Sequence, residues 1–287
     1  MKVSIDQGSG FCFGVSRAIQ TAENELDAGN EVYCLGEMVH NQVQMDKLKA
    51  KGLKVIAHAD LPDLKGKQVL IRAHGEPPQT FHMAAALGIK LIDATCPIVT
   101  KLQQRIHESA VSGENEDIQI VIFGKQSHAE VEGLVGNAAD KAIVIGNESD
   151  LENIDFSKPL RLFSQTTMAA ENYQSIIVTI QQKMTAAGND DIVINKSVCR
   201  QVSGRAPALR EFASTNDVVI FVSGKNSANG AYLFGACKSV NDKSYFISTV
   251  EEIDNQWFEN IYSVGVSGAT STPGWLIRQV SDYISTL

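Results

Sequence analysis

The sequence predicts an α/β fold made of three similar small domains. Two observations carry that prediction. Short apolar runs alternate with stretches patterned for helices, as in proteins built on parallel sheets. Residues that carry chemistry also recur just beyond those runs, at intervals the length of one small domain.

In chain order, VSIDQGSGF is a strand and a glycine-bounded turn that reaches Cys12 at the mouth of a helical stretch. EVYCLG leads to His40, LKVIA has no polar tip, QVLIRA leads to His74, and IKLIDA to Cys96. Pro97 then suits the first position of a helix, VTKLQQRIHESAV, with Ile98, Leu102 and Ile106 on one face. IQIVIFG leads to His128, KAIVIG has no polar tip, LRLFS leads to Thr166, and DIVIN to Cys199. DVVIFVSG leads to Ser227 and Asn229, SYFIS has no polar tip, and YSVGVSG leads to Ser271.

The steps are 88 and 99 residues for the first set of tips, 92 and 105 for the second, and 84 and 103 for the cysteines. The expected domains are 13–96, 97–195 and 196–272, the third completed by an N-terminal strand (1–12) and a C-terminal helix (273–287). Three such units about a pseudo-threefold axis would bring Cys12, Cys96 and Cys199 to one point. In parallel sheets, function collects at these strand ends.

Composition narrows the classes. A net charge of −8 argues against nucleic acid as the main partner. No apolar run is long enough to span a bilayer, and the N-terminus reads as strand and turn rather than signal peptide, so no membrane partner and a cytoplasmic address are expected. Five cysteines, an odd number without a C-x-x-C pair, disfavour a disulfide scaffold and a zinc ribbon. Cys34 and Cys237 sit in apolar patterns and are expected in the core.

A thiol at a helix N-terminus is favoured as thiolate, so Cys12 is a candidate nucleophile, redox thiol or metal ligand. Three converging thiolates could hold zinc or an iron–sulfur cluster. The cluster tolerates widely separated ligands, and a cubane on three cysteines leaves one iron free to act as a Lewis acid. A thiol hydrolase would need only one of the three.

The other tips read as an anion site. His40, His74, Ser227, Asn229 and Ser271 supply donors, and SGKNSANG and SGATSTPGW are small-residue turns entering helices. Neither is a P-loop, and no dinucleotide fingerprint is present, so no bound NAD or flavin is expected. Glu130 lies two residues beyond His128 at a helix start, where capping and catalysis both fit; Glu132 is expected on the outer face. Of Thr166 and Thr167, one is expected to cap a helix and the other to meet a ligand. His58, His82 and His107 lie off the tips.

GFCFGVSRAI, MVHNQV, RAHGEP, DATCPIVTK, SHAEVEG, SQTTM, SGKNSANG and STPGWLI, in this order over almost the whole chain, resemble the LytB/IspH family of 4-hydroxy-3-methylbut-2-enyl diphosphate reductases. The resemblance implies a three-domain α/β trefoil around a [4Fe–4S] cluster, held by Cys12, Cys96 and Cys199, with one iron lacking a protein ligand. It implies reductive removal of an allylic hydroxyl, giving isopentenyl and dimethylallyl diphosphates, the last step of the methylerythritol phosphate pathway. Glu130 with Thr166 would protonate the departing oxygen, and His128 would sit between the diphosphate and the reacting centre. His40, His74, Ser227, Asn229 and Ser271 would grip the diphosphate. Electrons would come from an external donor such as a flavodoxin or ferredoxin.

There are departures. Ala228 stands where the family commonly has Ser, so the resemblance implies one missing hydroxyl contact in the substrate site, for which backbone N–H groups are expected to compensate. Val202 replaces a common Thr and Gly204 a common Asn. The alternatives are a dehydrating cluster enzyme without net reduction, which would need no external reductant, and a non-enzymatic iron–sulfur sensor.

Overall fold

The computed structural model describes residues 1–111 and 117–287, the side chain of Ala228 excepted. The chain opens with β1 (Lys2–Ile5), α1 (Phe13–Asp27), β2 (Val32–Leu35), α2 (Gln42–Ala50) and β3 (Lys54–Ile56). Then come β4 (Gln68–Ile71), α3 (Pro78–Ala86), β5 (Lys90–Asp93) and α4 (Pro97–Val111). The middle holds β6 (Gln119–Phe123), α5 (Ala129–Asn137), β7 (Ile143–Ile145), β8 (Leu160–Ser164), α6 (Ala170–Ala186) and β9 (Ile192–Ile194). The last part holds α7 (Arg200–Ser203), α8 (Arg205–Ser214), β10 (Val218–Val222) and α9 (Ala228–Lys238). It ends with β11 (Ser244–Ile247), β12 (Ser263–Gly268) and α10 (Gly274–Ser285).

The strands form three four-stranded sheets. Read from the strand that precedes a cysteine, their orders are β1-β12-β10-β11, β5-β4-β2-β3 and β9-β8-β6-β7. Position for position this is one topology repeated, as the spacing of the strand tips predicts. The neighbouring pairs β1–β12, β12–β10, β10–β11, β4–β5, β6–β7, β6–β8 and β8–β9 all run parallel. Central strands such as VVIFV in β10 are buried along their whole length, because helices cover both faces. The cysteine-preceding strands β1, β5 and β9 are sheet edges and are only partly buried.

Two compact units emerge from the packing: Met1–Val32 with Glu37–Val55 and Gly204–Leu287, and Tyr33–Gly36 with Ile56–Ser203. In the first unit, Val218, Ile220, Val222, Val264 and Val266 pack against Leu276, Ile277, Val280 and Ile284 of α10. On the other face, Val219 and Phe221 meet Leu209, Leu233 and Cys237. In the second unit, Val121, Phe123 and Leu162 pack on Tyr173, Ile176 and Ile180 of α6. Each such fully buried large side chain contributes roughly 1.5–3 kcal/mol of transfer free energy.

Cys34 and Cys237 are both 0% exposed, as their apolar sequence surroundings predict, and Cys237 lies in the second of these clusters. Helix α4 corrects one expectation. Its buried side is Val99, Leu102 and Ile106, whereas Ile98 is 43% exposed. Steps of four residues overshoot a 3.6-residue turn, so Ile98 rotates off the stripe that Val99 completes.

The turn leading to Cys12 is tied down by charge. Asp6 accepts from Gly8 N at 3.0 Å through Oδ1 and from the Ser267 hydroxyl at 2.7 Å through Oδ2. Its Oδ2 also pairs with Arg205 Nη2 at 2.6 Å, and both side chains are more than nine-tenths buried. Removing one member of such a pair strands the other charge out of water. Asp6→Ala is therefore expected to lower unfolding stability by about 3–5 kcal/mol in urea titrations. A loss below about 1 kcal/mol, the scale of exposed pairs, would mean that water reaches the pair.

Candidate active site

In the second unit the acid comes first. His128 is the N-cap of α5: its Nδ1 accepts from Glu130 N at 3.1 Å. In a neutral ring that bond places the proton on Nε2 and leaves that atom as donor. Glu130 in the first turn is 1% exposed, so it does not cap toward solvent. Its carboxyl meets Thr166 twice, accepting from Thr166 N at Oε1 (2.6 Å) and from the Thr166 hydroxyl at Oε2 (2.9 Å). Burial pushes the Glu130 pKa up to about 7, opposed by the two Thr166 bonds. The carboxyl therefore exchanges its proton near neutrality. Glu132 is exposed, as expected.

The rings of His74 and His128 meet edge to face, 5.2 Å between centroids. Neither threonine of SQTTM caps a helix. Helix α6 starts at Ala170 behind an Ala169 N-cap, while Thr166 is held by Glu130 and Thr167 Oγ1 accepts from Gln165 Nε2 at 2.8 Å. Gln165 is a residue that pattern reading passed over. Its Oε1 also accepts from Lys125 N, at 3.1 Å, joining the turns after β6 and β8.

In the first unit the small polar residues gather at the mouths of α9 and α10. Ser227 caps α9, accepting from Gly230 N at 3.0 Å, and its hydroxyl lies 3.2 Å from that of Ser271. Asn229 Oδ1 accepts from the Thr270 hydroxyl at 3.1 Å. Its Nδ2, by contrast, is buried with no hydrogen-bond partner among the described residues. A buried amide donor left over at a helix mouth fits an anion as its partner. His40 precedes the α2 cap Asn41, and its carbonyl oxygen occupies the space that a Cβ on Gly224 would fill. Glycine at 224 is what lets the two turns approach.

The three remaining cysteines share one arrangement. Cys12, Cys96 and Cys199 each immediately precede a helix, and their carbonyls accept from Ser16, Thr100 and Ser203 N at 2.9 Å each. Each cysteine N–H donates to the residue two positions past the neighbouring strand: Cys12 to Thr270, Cys96 to Ala73, Cys199 to Thr166. These bonds measure 3.3, 3.0 and 2.8 Å. All three residues are partly exposed, whereas burial pushes the Cys34 and Cys237 thiols up to about 12. Thiols at helix mouths, open to a ligand, fit a metal or cluster bound as thiolate; the two core cysteines do not.

An open hollow of about 500 Å³ lined by Asp217, Lys243 and Tyr262 lies at the opposite, N-terminal ends of β10–β12. The chemistry-bearing tips are at the C-terminal ends, where parallel sheets place their sites.

Fold and tips together define a parallel-sheet α/β protein that presents cysteine thiols and polar donors at helix mouths. A family model described as LytB protein matches residues 3–285, and the chain belongs to that family. It is 47% identical over 287 residues to the 4-hydroxy-3-methylbut-2-enyl diphosphate reductase of Bacteroides thetaiotaomicron, covering 100% of this chain and 99% of that one. The enzyme of that name from Porphyromonas gingivalis is 42% identical, with 99% of each chain covered. Among solved structures, the E-1-hydroxy-2-methyl-but-2-enyl-4-diphosphate reductase of Plasmodium falciparum superposes with a TM-score of 0.86 at 27% identity, over 99% of this chain and 88% of that one. A structure of (E)-4-hydroxy-3-methyl-but-2-enyl diphosphate reductase, described as the terminal enzyme of the non-mevalonate pathway, gives 0.77 at 31% identity over the whole of both chains.

Proposed function

We propose that this chain is an oxidoreductase of isoprenoid biosynthesis that reduces 4-hydroxy-3-methylbut-2-enyl diphosphate. The allylic C–O bond breaks, two electrons and two protons are taken up, and isopentenyl or dimethylallyl diphosphate leaves together with water. The observation that carries this reading is the Glu130–Thr166 pair, a dry carboxyl at about 7. Thr166 in turn accepts the Cys199 N–H, so acid and thiol share one strand tip.

Cys12, Cys96 and Cys199 would hold an iron–sulfur cluster of the [4Fe–4S] type with one iron lacking a protein ligand. When bound, the cluster supplies electrons and a Lewis-acidic iron. The chain's own residues do the rest. Glu130 delivers the proton that makes the departing hydroxyl a good leaving group, and Thr166 holds the carboxyl in place. Ser227, Asn229, Ser271, His40 and His74 donate to the diphosphate oxygens, and position 228, an alanine, contributes backbone alone. His128, with Nε2–H as its donor, takes the part of proton relay. The electrons come from an external donor, a flavodoxin or ferredoxin, and a cytoplasmic location goes with that. No helix of the described residues is long and apolar enough to cross a membrane.

The domain boundaries 13–96, 97–195 and 196–272 belong to the same reading. They are supported by one four-stranded sheet falling within each span, with β1 added to the third.

The test is anaerobic purification with iron and sulfide analysis, then turnover with and without an external reductant. About four irons and four sulfides per chain, with turnover only when reductant is supplied, are expected. Dehydration without reductant would place the chain among the dehydrating cluster enzymes. A colourless, zinc-binding protein after anaerobic reconstitution would overturn the cluster.

A further inference from the structure

The RAHGEP turn carries an acid that the proposed reaction does not use. Glu76 is 3% exposed. Its Oε2 lies 2.7 Å from His58 Nε2 and accepts from the Thr80 hydroxyl at 3.4 Å, and its Oε1 lies 3.9 Å from Arg72 Nη2. Its backbone carbonyl accepts from Gln103 Nε2 at 3.4 Å. Gln103 fills the space beneath Gly75, where a Cβ would sit 2.6 Å from that nitrogen; φ there is +73°, a conformation suited to glycine.

One carboxylate thus gathers Arg72 from the start of the turn, Thr80 from α3, and His58 from the 3-10 segment His58–Leu64. The buried Cys34 thiol also lies within the electrostatic reach of Arg72 and Glu76. A buried carboxylate is an acceptor only and is costly to maintain without partners. Here its partners clamp both ends of a short loop. Inside the clamp lie Ala73, whose carbonyl receives the Cys96 N–H, and His74.

We propose that Glu76 is a positioning residue that holds His74 in its diphosphate-binding pose. This rests on the reading of His74 as a diphosphate donor. Loosening the clamp would misplace an imidazole that must meet a small anion, so binding would suffer more than turnover.

The experiment measures KM and kcat of the cluster-loaded enzyme, and the Kd of inorganic pyrophosphate by calorimetry, for wild type, Glu76→Gln and His58→Ala. Iron content and melting temperature are recorded alongside. For Glu76→Gln, KM and the pyrophosphate Kd are expected to rise about ten-fold, kcat to change less than KM, and iron content to hold. His58 is half exposed, so His58→Ala is expected to fold even if the Glu76 variant does not, and to raise the pyrophosphate Kd about three-fold. A lowered melting temperature with wild-type Kd and KM in both variants would make the clamp merely structural and overturn the proposal. A wild-type chain that bound no pyrophosphate would instead overturn the diphosphate reading, and this inference with it.

Discussion

Glu130→Gln is expected to lower kcat by about 10²–10⁴-fold, the range for loss of a general acid, with iron and sulfide content intact. Gln can keep the acceptor that Thr166 N uses at Oε1, but it cannot release a proton. In the wild type, the carboxyl near 7 is mostly protonated at pH 6 and mostly ionised at pH 8. The rate of a step that needs the acid should therefore fall above neutrality by about ten-fold per pH unit. The same shift has a stability sign. The folded carboxyl holds its proton between 4.5 and about 7, a window in which the unfolded chain has released it. Its contribution to stability is therefore full below 4.5 and lost as pH rises through about 7, a change on the order of 3 kcal/mol. Gln carries no such slope. Urea denaturation at pH 5 and pH 8 should show the variant at least as stable as wild type at the higher pH, with its kcat at pH 5 still lowered by the factor above. Preserved turnover in the variant would remove Glu130 from the reaction.

That carboxyl also shows what the chain discloses locally and what it does not. Strand runs, their polar tips and the thrice-repeated cysteine position are local features, and the three matching sheet orders follow from them. The burial of Cys34 and Cys237 was equally legible, because their neighbours are apolar. Pairings between distant segments leave no periodic trace. Glu130 meets Thr166 across 36 residues, and from its own stretch it reads as a capping acid or a catalytic one; motif resemblance, not spacing, joined the two. Asp6 meets Arg205 across 199 residues, and Glu76 meets His58 across 18. His58, set aside because it lies off the strand tips, is brought to Glu76 by the 3-10 segment that follows β3. SQTTM misled for a different reason: α6 starts only at Ala170 with Ala169 at its cap, so neither threonine stands at the capping position.

Replacing Cys12, Cys96 or Cys199 by Ser is expected to strip most of the iron from the chain, and turnover with it, in each variant separately. The three positions are equivalent: each thiol opens a helix, each carbonyl accepts the N–H four residues on, and each N–H is tied to the turn beyond the neighbouring strand. Loss of any one should therefore have the same consequence, whatever its distance along the chain from the others. Cys34→Ser and Cys237→Ser are the controls. Their thiols, pushed up to about 12 by burial, stay protonated and offer no thiolate to a metal. Serine there buries a hydroxyl that must find a hydrogen-bond partner and should cost about 1–3 kcal/mol of stability while leaving iron content unchanged. Iron and acid-labile sulfide per folded chain after anaerobic reconstitution separate the two groups. Full iron in Cys199→Ser would break the equivalence of the three tips, and depleted iron in Cys34→Ser would mean that the core cysteines are not bystanders. Uniform loss across the three helix-mouth variants, against retention in the two core ones, is the pattern that a cluster on three matching strand tips requires.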